Sequence, residues 1–331
     1  MFDGKKILIT GGTGSLGSAL TERLLKTDVD TIRIFSRDEW KQTNLENRLN
    51  DKRLRFFIGD VRDKERLYRA LEGDIDIVIH AAALKQVPVA EYNPFEAVKT
   101  NVYGAQNLIE ACLDKNVKIA LAVGTDKAVS PLNTYGATKL LMEKLFIASN
   151  YYGGSHITKF FCVRYGNVLG SRGSVVPLFI DQIKKGKKIT MTDSSMTRFN
   201  ITMENALDLI FRAIEKGKGR ETFIPKLQAY KLEDMKDAIV ELLDVKTEIE
   251  KVPTRPGEKF HESLINIHEI RNTYDDDEDY VLFDKNSKFL RKEDIPDFKN
   301  ADLKTEYSSD KVELLSVKEI KKILLNEKII Q

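Results

Sequence analysis

Lys6-Ile7-Leu8-Ile9-Thr10-Gly11-Gly12-Thr13-Gly14-Ser15-Leu16-Gly17 is the stretch that decides the architecture of this chain. A short apolar run opens directly onto a glycine-rich turn, and a helical pattern follows over 18–25. Glycines at such a junction let the backbone approach a pyrophosphate closely, and the start of the following helix offers unpaired N–H groups and a partial positive charge. The glycine spacing alone is a weak signal whose plain alternative is a tight turn. Its strand-turn-helix setting predicts dinucleotide binding at Thr10, Gly11, Thr13, Gly14, Ser15, Leu16 and Gly17.

Outward from that turn, strand and helix signals alternate. Ile32-Arg33-Ile34-Phe35 and Arg55-Phe56-Phe57-Ile58 predict the next two strands. The runs 75–80, 118–123 and 159–164 predict three more, with helices over 103–115 and 135–149 between them. Near-continuous apolar strands separated by helices imply a parallel sheet covered on both faces. Beyond Arg164 the pattern loosens, and helical signals at 178–185, 204–214 and 232–243 alternate with short strands. The expected class is α/β: a Rossmann-like doubly wound parallel sheet over 1–165, to which segments around 198–225 return. The remainder of 166–331 is expected to be mainly a smaller C-terminal substrate-binding lobe and a tail. A length of 331 residues accommodates both.

Composition narrows the class further. With 53 basic against 51 acidic residues and 42% hydrophobic residues, nothing suggests a nucleic-acid partner. No basic-then-apolar leader precedes the first strand, and no apolar run approaches the roughly 20 residues of a membrane span. Cys112 and Cys162 sit in apolar surroundings and read as buried thiols, so a cytoplasmic protein is expected. The run Asp275 to Asp279 reads as a solvated loop. His80 reads as a satisfied strand-end residue, and His261 with His268 lacks metal-site spacing, so no metal is expected.

Two further stretches carry chemistry. At the end of the second strand stands Ser36-Arg37-Asp38. A guanidinium there favours the 2′-phosphate of NADP, while Asp38 offers the alternative of holding the ribose of NAD. Asp60-Val61 follows the third strand, either at the adenine edge or as a plain strand cap. Tyr135 and Lys139 lie one helical turn apart on one face, where an ammonium can stabilise a phenolate. Bringing tyrosine from about 10 to near 7 takes about 4 kcal/mol, which Lys139 and a cationic nicotinamide can supply. Thr125-Asp126-Lys127 adds a second acid/base pair, whose bland reading is a surface salt-bridging dipeptide. Tyr-x-x-x-Lys suggests redox chemistry; Asp-Lys beside it suggests an elimination.

These residues, with His80-Ala81-Ala82-Ala83 and Arg164-Tyr165-Gly166-Asn167-Val168, resemble an extended short-chain dehydrogenase/reductase acting on nucleotide sugars. More narrowly, Ala82-Ala83-Leu84-Lys85, Gly170-Ser171-Arg172-Gly173-Ser174-Val175-Val176-Pro177, Met196-Thr197-Arg198-Phe199 and Arg255-Pro256-Gly257-Glu258-Lys259 resemble the UDP-N-acetylglucosamine 4,6-dehydratases over about 5–265. Tyr135, where several members have methionine, sides with the soluble C5-inverting enzymes of the pseudaminic acid pathway. Gly124 and Asn200 depart from the usual residues, and the tail after Asp275 does not align.

The resemblance implies an order of events. Tyr135 takes the C4 hydroxyl proton as hydride passes to NADP, with Lys139 and Thr125 positioning the site. Lys127 then removes the C5 proton, Asp126 protonates the departing C6 hydroxyl, and hydride returns to C6. A lysine base requires a pKa lowered from about 10.4 toward 7 or 8. Ala81 and Ala82 are expected along the cofactor. Lys85, Asn167, Arg172, Val175, Arg198, Arg255 and Lys259 are expected to bind UDP-N-acetylglucosamine, the arginines through bidentate pairing with phosphate. A homo-oligomer, as large as a hexamer, is implied. A nucleotide-sugar 4-epimerase uses the same tyrosine without needing Asp126-Lys127, and a non-catalytic NADP sensor needs neither pair.

Overall fold

The computed structural model describes residues 1–152, 156–171, 173–254, 257–284 and 298–330. Its first half runs β1 (Lys6–Thr10), α1 (Ser15–Leu24), β2 (Thr31–Ser36), α2 (Glu39–Leu49), β3 (Leu54–Ile58), α3 (Lys64–Ala70) and β4 (Ile77–His80). It continues through α4 (Val87–Tyr92), α5 (Pro94–Val98), α6 (Gly104–Asp114), β5 (Ile119–Val123), α7 (Thr134–Ser149) and β6 (Lys159–Val163). The second half adds α8 (Val175–Lys184), β7 (Ile189–Met191), β8 (Thr197–Phe199), α9 (Met203–Lys216), β9 (Glu221–Pro225), β10 (Ala229–Lys231) and α10 (Leu232–Leu243). Then follow β11 (Ile249–Lys251), β12 (Ser263–Ile265), β13 (Thr273–Asp275), β14 (Asp279–Phe283), β15 (Lys299–Asn300), β16 (Tyr307–Ser308) and α11 (Val317–Asn326).

The main sheet has the order β15-β13-β14-β9-β6-β5-β4-β1-β2-β3. From β3 to β9 every pairing is parallel, and β14, β13 and β15 continue it antiparallel. Strand alternation sorts the side chains into two cores. Ile7, Ile9, Ile32, Ile34, Phe161 and Val163 pack with α1 and α9 on one face. Leu8, Phe35, Val78, Phe160 and Cys162 pack with α3, α6 and α7 on the other. Helices therefore cover both faces, as the apolar strands require. Chain order reverses between β1 and β4, and a crevice opens beyond their carboxyl ends, where such sheets bind ligands.

A third core, formed by α8, α10, α11, β7 and β10 through Phe179, Met191, Tyr230, Met235, Ile239 and Leu324, builds the smaller lobe. The sheet also takes up residues of the tail that did not align. Asp275 to Asp279 is not simply solvated: it turns the β13–β14 hairpin against the basic end of α9. Asp279 is fully buried and holds Arg212 in a two-pronged pair at 2.6 and 2.7 Å, while Asp276 lies 3.0 Å from Lys216. Cys112 and Cys162 are buried free thiols. No helix among the described residues is long and apolar enough to cross a membrane.

Candidate active site

Gly11 takes φ +69°, and a Cβ there would lie 2.8 Å from the Ala82 nitrogen, so the turn closes against the end of β4 only because this residue is glycine. Gly14 caps α1 without a side-chain bond, which leaves the first-turn N–H groups facing the crevice end of β1. Ala81 donates to the Thr10 carbonyl at 3.1 Å, and Thr10 Oγ1 shares a 2.7 Å hydrogen bond with His80 Nδ1. Burial, with Lys139 nearby, pulls His80 down to about 3, so its ring is neutral. These features make a cradle that fits a dinucleotide phosphate group.

Ser36 is held by the Gln42 amide at 3.0 Å. Asp38 caps α2, accepting from the Lys41 N–H at 3.0 Å and pairing with its ammonium at 2.8 Å. Arg37 extends outward, 65% exposed, with its guanidinium 3.9 Å from Asp60. Asp60 is engaged by Arg62 at 2.7 Å and caps its own turn, while Val61 is buried against Gly104.

Catalytic candidates converge from two elements. Thr125 lies two residues beyond β5 and accepts weakly from the Lys127 N–H in the single 3₁₀ turn Asp126–Ala128. Asn133 caps α7 by accepting from Gly136 at 2.8 Å, and its amide reaches the Gly257 carbonyl at 3.0 Å. A Cβ on Gly136 would lie 2.0 Å from the Lys127 carbonyl oxygen, so the first turn of α7 abuts the 3₁₀ turn directly. That contact brings Tyr135 beside Lys127.

The charges there are strongly coupled. Lys127 Nζ lies 3.1 Å from Asp126 Oδ1, 3.3 Å from Glu262 Oε1 and 3.4 Å from Asn167 Oδ1. Burial alone lowers this lysine, but Asp126 and Glu262 together overcome it and hold the ammonium above its ordinary value. The expected lowering toward 7 or 8 is thus corrected: two carboxylates favour the charged form. Burial raises Asp126, against the pull of Lys127 and a 2.9 Å hydrogen bond from Thr125. Burial also pushes Tyr135 up to about 12, opposed by Lys127 and by the neighbouring Thr125 side chain. Lys139, expected to stabilise the phenolate, instead points to Met142 Sδ at 3.0 Å, and burial draws it down to about 8.

A cavity of about 370 Å³ opens between the sheet and the smaller lobe, within the size range of small-molecule sites. Lys127, Tyr135, Lys85, Asn167, Val175 and Arg198 line it. Lys259 does not: its ammonium donates to the Val129 carbonyl behind the 3₁₀ turn. Arg198 donates to the carbonyls of Thr197 and Phe260 at 2.8 and 3.0 Å and lies 3.6 Å from Glu258, so part of its guanidinium is engaged by protein. Arg172 and Arg255 lie outside the described residues. Among the described residues, no group of side chains could hold a metal ion.

Two participants were missed. Glu262 lies far from Lys127 in sequence, and its only signal was an acid three positions after Lys259. Asn101 sits in a π-helical turn, Lys99–Tyr103, and is almost fully buried. Its side chain bonds both backbone groups of Leu84, at 2.8 and 3.0 Å, and Thr138 Oγ1 at 3.0 Å, tying the Ala81–Leu84 strap to α7. An irregular turn of this kind has no periodic signature.

Comparison with known proteins agrees with this geometry. A family model described as "Polysaccharide biosynthesis protein" matches residues 7–283. A UDP-N-acetylglucosamine 4,6-dehydratase (inverting) from Campylobacter jejuni subsp. jejuni is 48% identical over 284 residues, covering 85% of this chain and 84% of the relative. A UDP-glucose 4-epimerase from Rickettsia conorii is 43% identical, covering 98% and 96%. The crystal structure of Pen from Bacillus thuringiensis superposes with a TM-score of 0.90 at 39% identity, covering 98% and 99%. The fold read from the glycine turn and the family read from the motifs meet in one conclusion: the chain belongs to the polysaccharide biosynthesis protein family.

Proposed function

We propose that the protein is a UDP-N-acetylglucosamine 4,6-dehydratase that inverts C5. The observation that carries this reading is Lys127, flanked by Asp126, facing the same cavity as Tyr135. A C6 hydroxyl is a poor leaving group until C4 is a ketone, because only then is the C5 proton acidic. Tyr135 takes the C4 hydroxyl proton, steadied by Thr125. NADP, which the turn Gly11 to Gly17 and Arg37 would hold, would supply the reversible hydride acceptor that this chemistry needs. Burial shifts the Asp126 carboxyl upward, which suits it to carry the proton that the departing C6 oxygen takes, and Lys127 removes the C5 proton. The name of the Campylobacter relative supports both the substrate and the inversion.

NADP is preferred over NAD on local grounds. Asp38 is occupied as a helix cap, whereas Arg37 is exposed beside the β2 crevice end and suits a 2′-phosphate. Lys85, Asn167, Val175 and Arg198 would hold the nucleotide sugar, with Arg172, Arg255 and Lys259 close in sequence to the cavity-lining Gly173, Gly257 and Glu258. Exposed rings at Tyr92, Phe95 and Tyr103 support a homo-oligomer, and the two buried thiols suit a reducing cytoplasm.

The second reading is a 4-epimerase, favoured by the relative from Rickettsia. Mass spectrometry of UDP-N-acetylglucosamine after incubation with the holoenzyme separates them. A dehydratase product is lighter by one water; an epimer keeps the mass of the substrate.

A further inference from the structure

One short segment, from Gly257 to Glu262, grips the 3₁₀ turn and the start of α7 at three points. The Gly257 carbonyl accepts from the Asn133 side-chain amide at 3.0 Å, the Lys259 ammonium donates to the Val129 carbonyl, and Glu262 Oε1 lies 3.3 Å from Lys127 Nζ. The segment is anchored at its far end. There the fully buried Ser309 Oγ accepts from the Glu262 N–H at 3.0 Å and shares a 2.7 Å hydrogen bond with Thr197 Oγ1.

The contact at Val129 is the informative one. Val129 closes the 3₁₀ turn, its N–H donating to the Asp126 carbonyl at 3.1 Å. Its own carbonyl belongs to a buried residue and needs a donor, which the Lys259 ammonium supplies. Ser130, the next residue, takes φ +44°. That left-handed conformation costs a serine free energy and persists only where its surroundings hold it. Burial draws the Lys259 ammonium down while Glu262 and Asp126 hold it up, so it belongs to the charge cluster of the turn. Pairing with a substrate phosphate would take it away from Val129.

We propose that Lys259 is a positioning residue for the elimination: its ammonium holds the Val129 carbonyl, fixes where Asp126 and Lys127 stand, and does not bind substrate phosphate. The step it serves rests on the dehydratase reading. Tyr135 is placed separately, by the Asn133 cap of α7 and the contact at Gly136. Loss of Lys259 therefore slows elimination more than C4 oxidation.

The test compares wild-type, Lys259→Met and Lys259→Gln holoenzymes with UDP-N-acetylglucosamine. Methionine keeps the length and removes the donor; glutamine keeps an N–H donor and removes the charge. Lys259→Met is expected to lower kcat about tenfold to a hundredfold, with KM and the Kd of UDP, measured by calorimetry, unchanged within about twofold. Absorbance of reduced nicotinamide should build up during turnover, because oxidation outruns elimination, and Lys259→Gln should recover part of kcat. A phosphate ligand gives a different pattern: KM and the UDP Kd rise about tenfold or more in both variants while kcat stays. That pattern overturns the proposal, as does an unchanged kcat in Lys259→Met or a kcat loss without build-up of reduced coenzyme. If the methionine variant fails to fold, Lys259→Gln decides: lower kcat with UDP binding kept supports the proposal, and weaker UDP binding or an unchanged kcat overturns it. Absence of dehydrated product with wild-type enzyme is a separate outcome, which overturns the dehydratase reading itself.

Discussion

The Lys127 ammonium lies 3.1 Å from the carboxylate of its own neighbour, Asp126, because the chain makes a 3₁₀ turn directly after β5. On a strand the two side chains would point to opposite faces. The turn makes a dipeptide into an acid/base pair, and the close approach at Gly136 sets Tyr135 beside it. Lys127→Ala is therefore expected to lower kcat about 10² to 10⁴-fold. Deuterium exchange from solvent into C5, followed by NMR, should cease; exchange at the normal rate would remove Lys127 as the base.

Arg37→Ala should weaken NADP binding about tenfold or more while changing NAD binding little, since only the former presents a 2′-phosphate to the guanidinium. Titration of both coenzymes by calorimetry checks this. Equal losses would assign Arg37 no part in the choice.

Gly17→Ala places a Cβ 2.5 Å from the Gly11 carbonyl oxygen and 2.5 Å from Gly12 Cα, both backbone atoms that cannot yield without opening the turn. A stability loss of about 1 to 3 kcal/mol is expected, together with loss of coenzyme binding. Denaturant unfolding and coenzyme titration measure the two effects separately.

How much of this was legible in the sequence depends on the range of the interaction. Strands such as Ile7-Leu8-Ile9 and Phe160-Phe161-Cys162 announce themselves because each is buried on both faces. The glycine turn and the spacing of Tyr135 and Lys139 are local, and so were readable. Glu262 and Lys127 meet only through tertiary folding, and no periodicity links them. The Lys127 pKa was misjudged for the same reason: burial was foreseen, the second carboxylate was not. Asp275 to Asp279 looked solvated because its partners, Lys216, Arg212 and Lys226, come from another part of the chain.

Lys139 provides a test by pH. Folded, it releases its proton at about 8, whereas unfolded it holds it to the ordinary lysine value of 10.5. Between those values the folded chain binds fewer protons, so stability rises with pH across that window. The gain is about 3 kcal/mol, and it should vanish from the profile of Lys139→Met in chemical unfolding measured across the alkaline range.

Arg164→Met should destabilise the protein by about 3 to 5 kcal/mol, since it strands two carboxylates. The guanidinium is buried and lies 2.8 Å from Glu143 and 3.0 Å from Glu269, joining α7 to the segment after β12. Denaturant midpoints check the magnitude; a shift under about 1 kcal/mol would mean that water replaces the arginine.

The most direct test of the central claim is incubation of the holoenzyme with UDP-N-acetylglucosamine in deuterated water, with the product followed by NMR. A 4-keto-6-deoxy sugar with deuterium at an inverted C5 is the predicted result. A C4 epimer that retains its C6 hydroxyl and its C5 proton would contradict it.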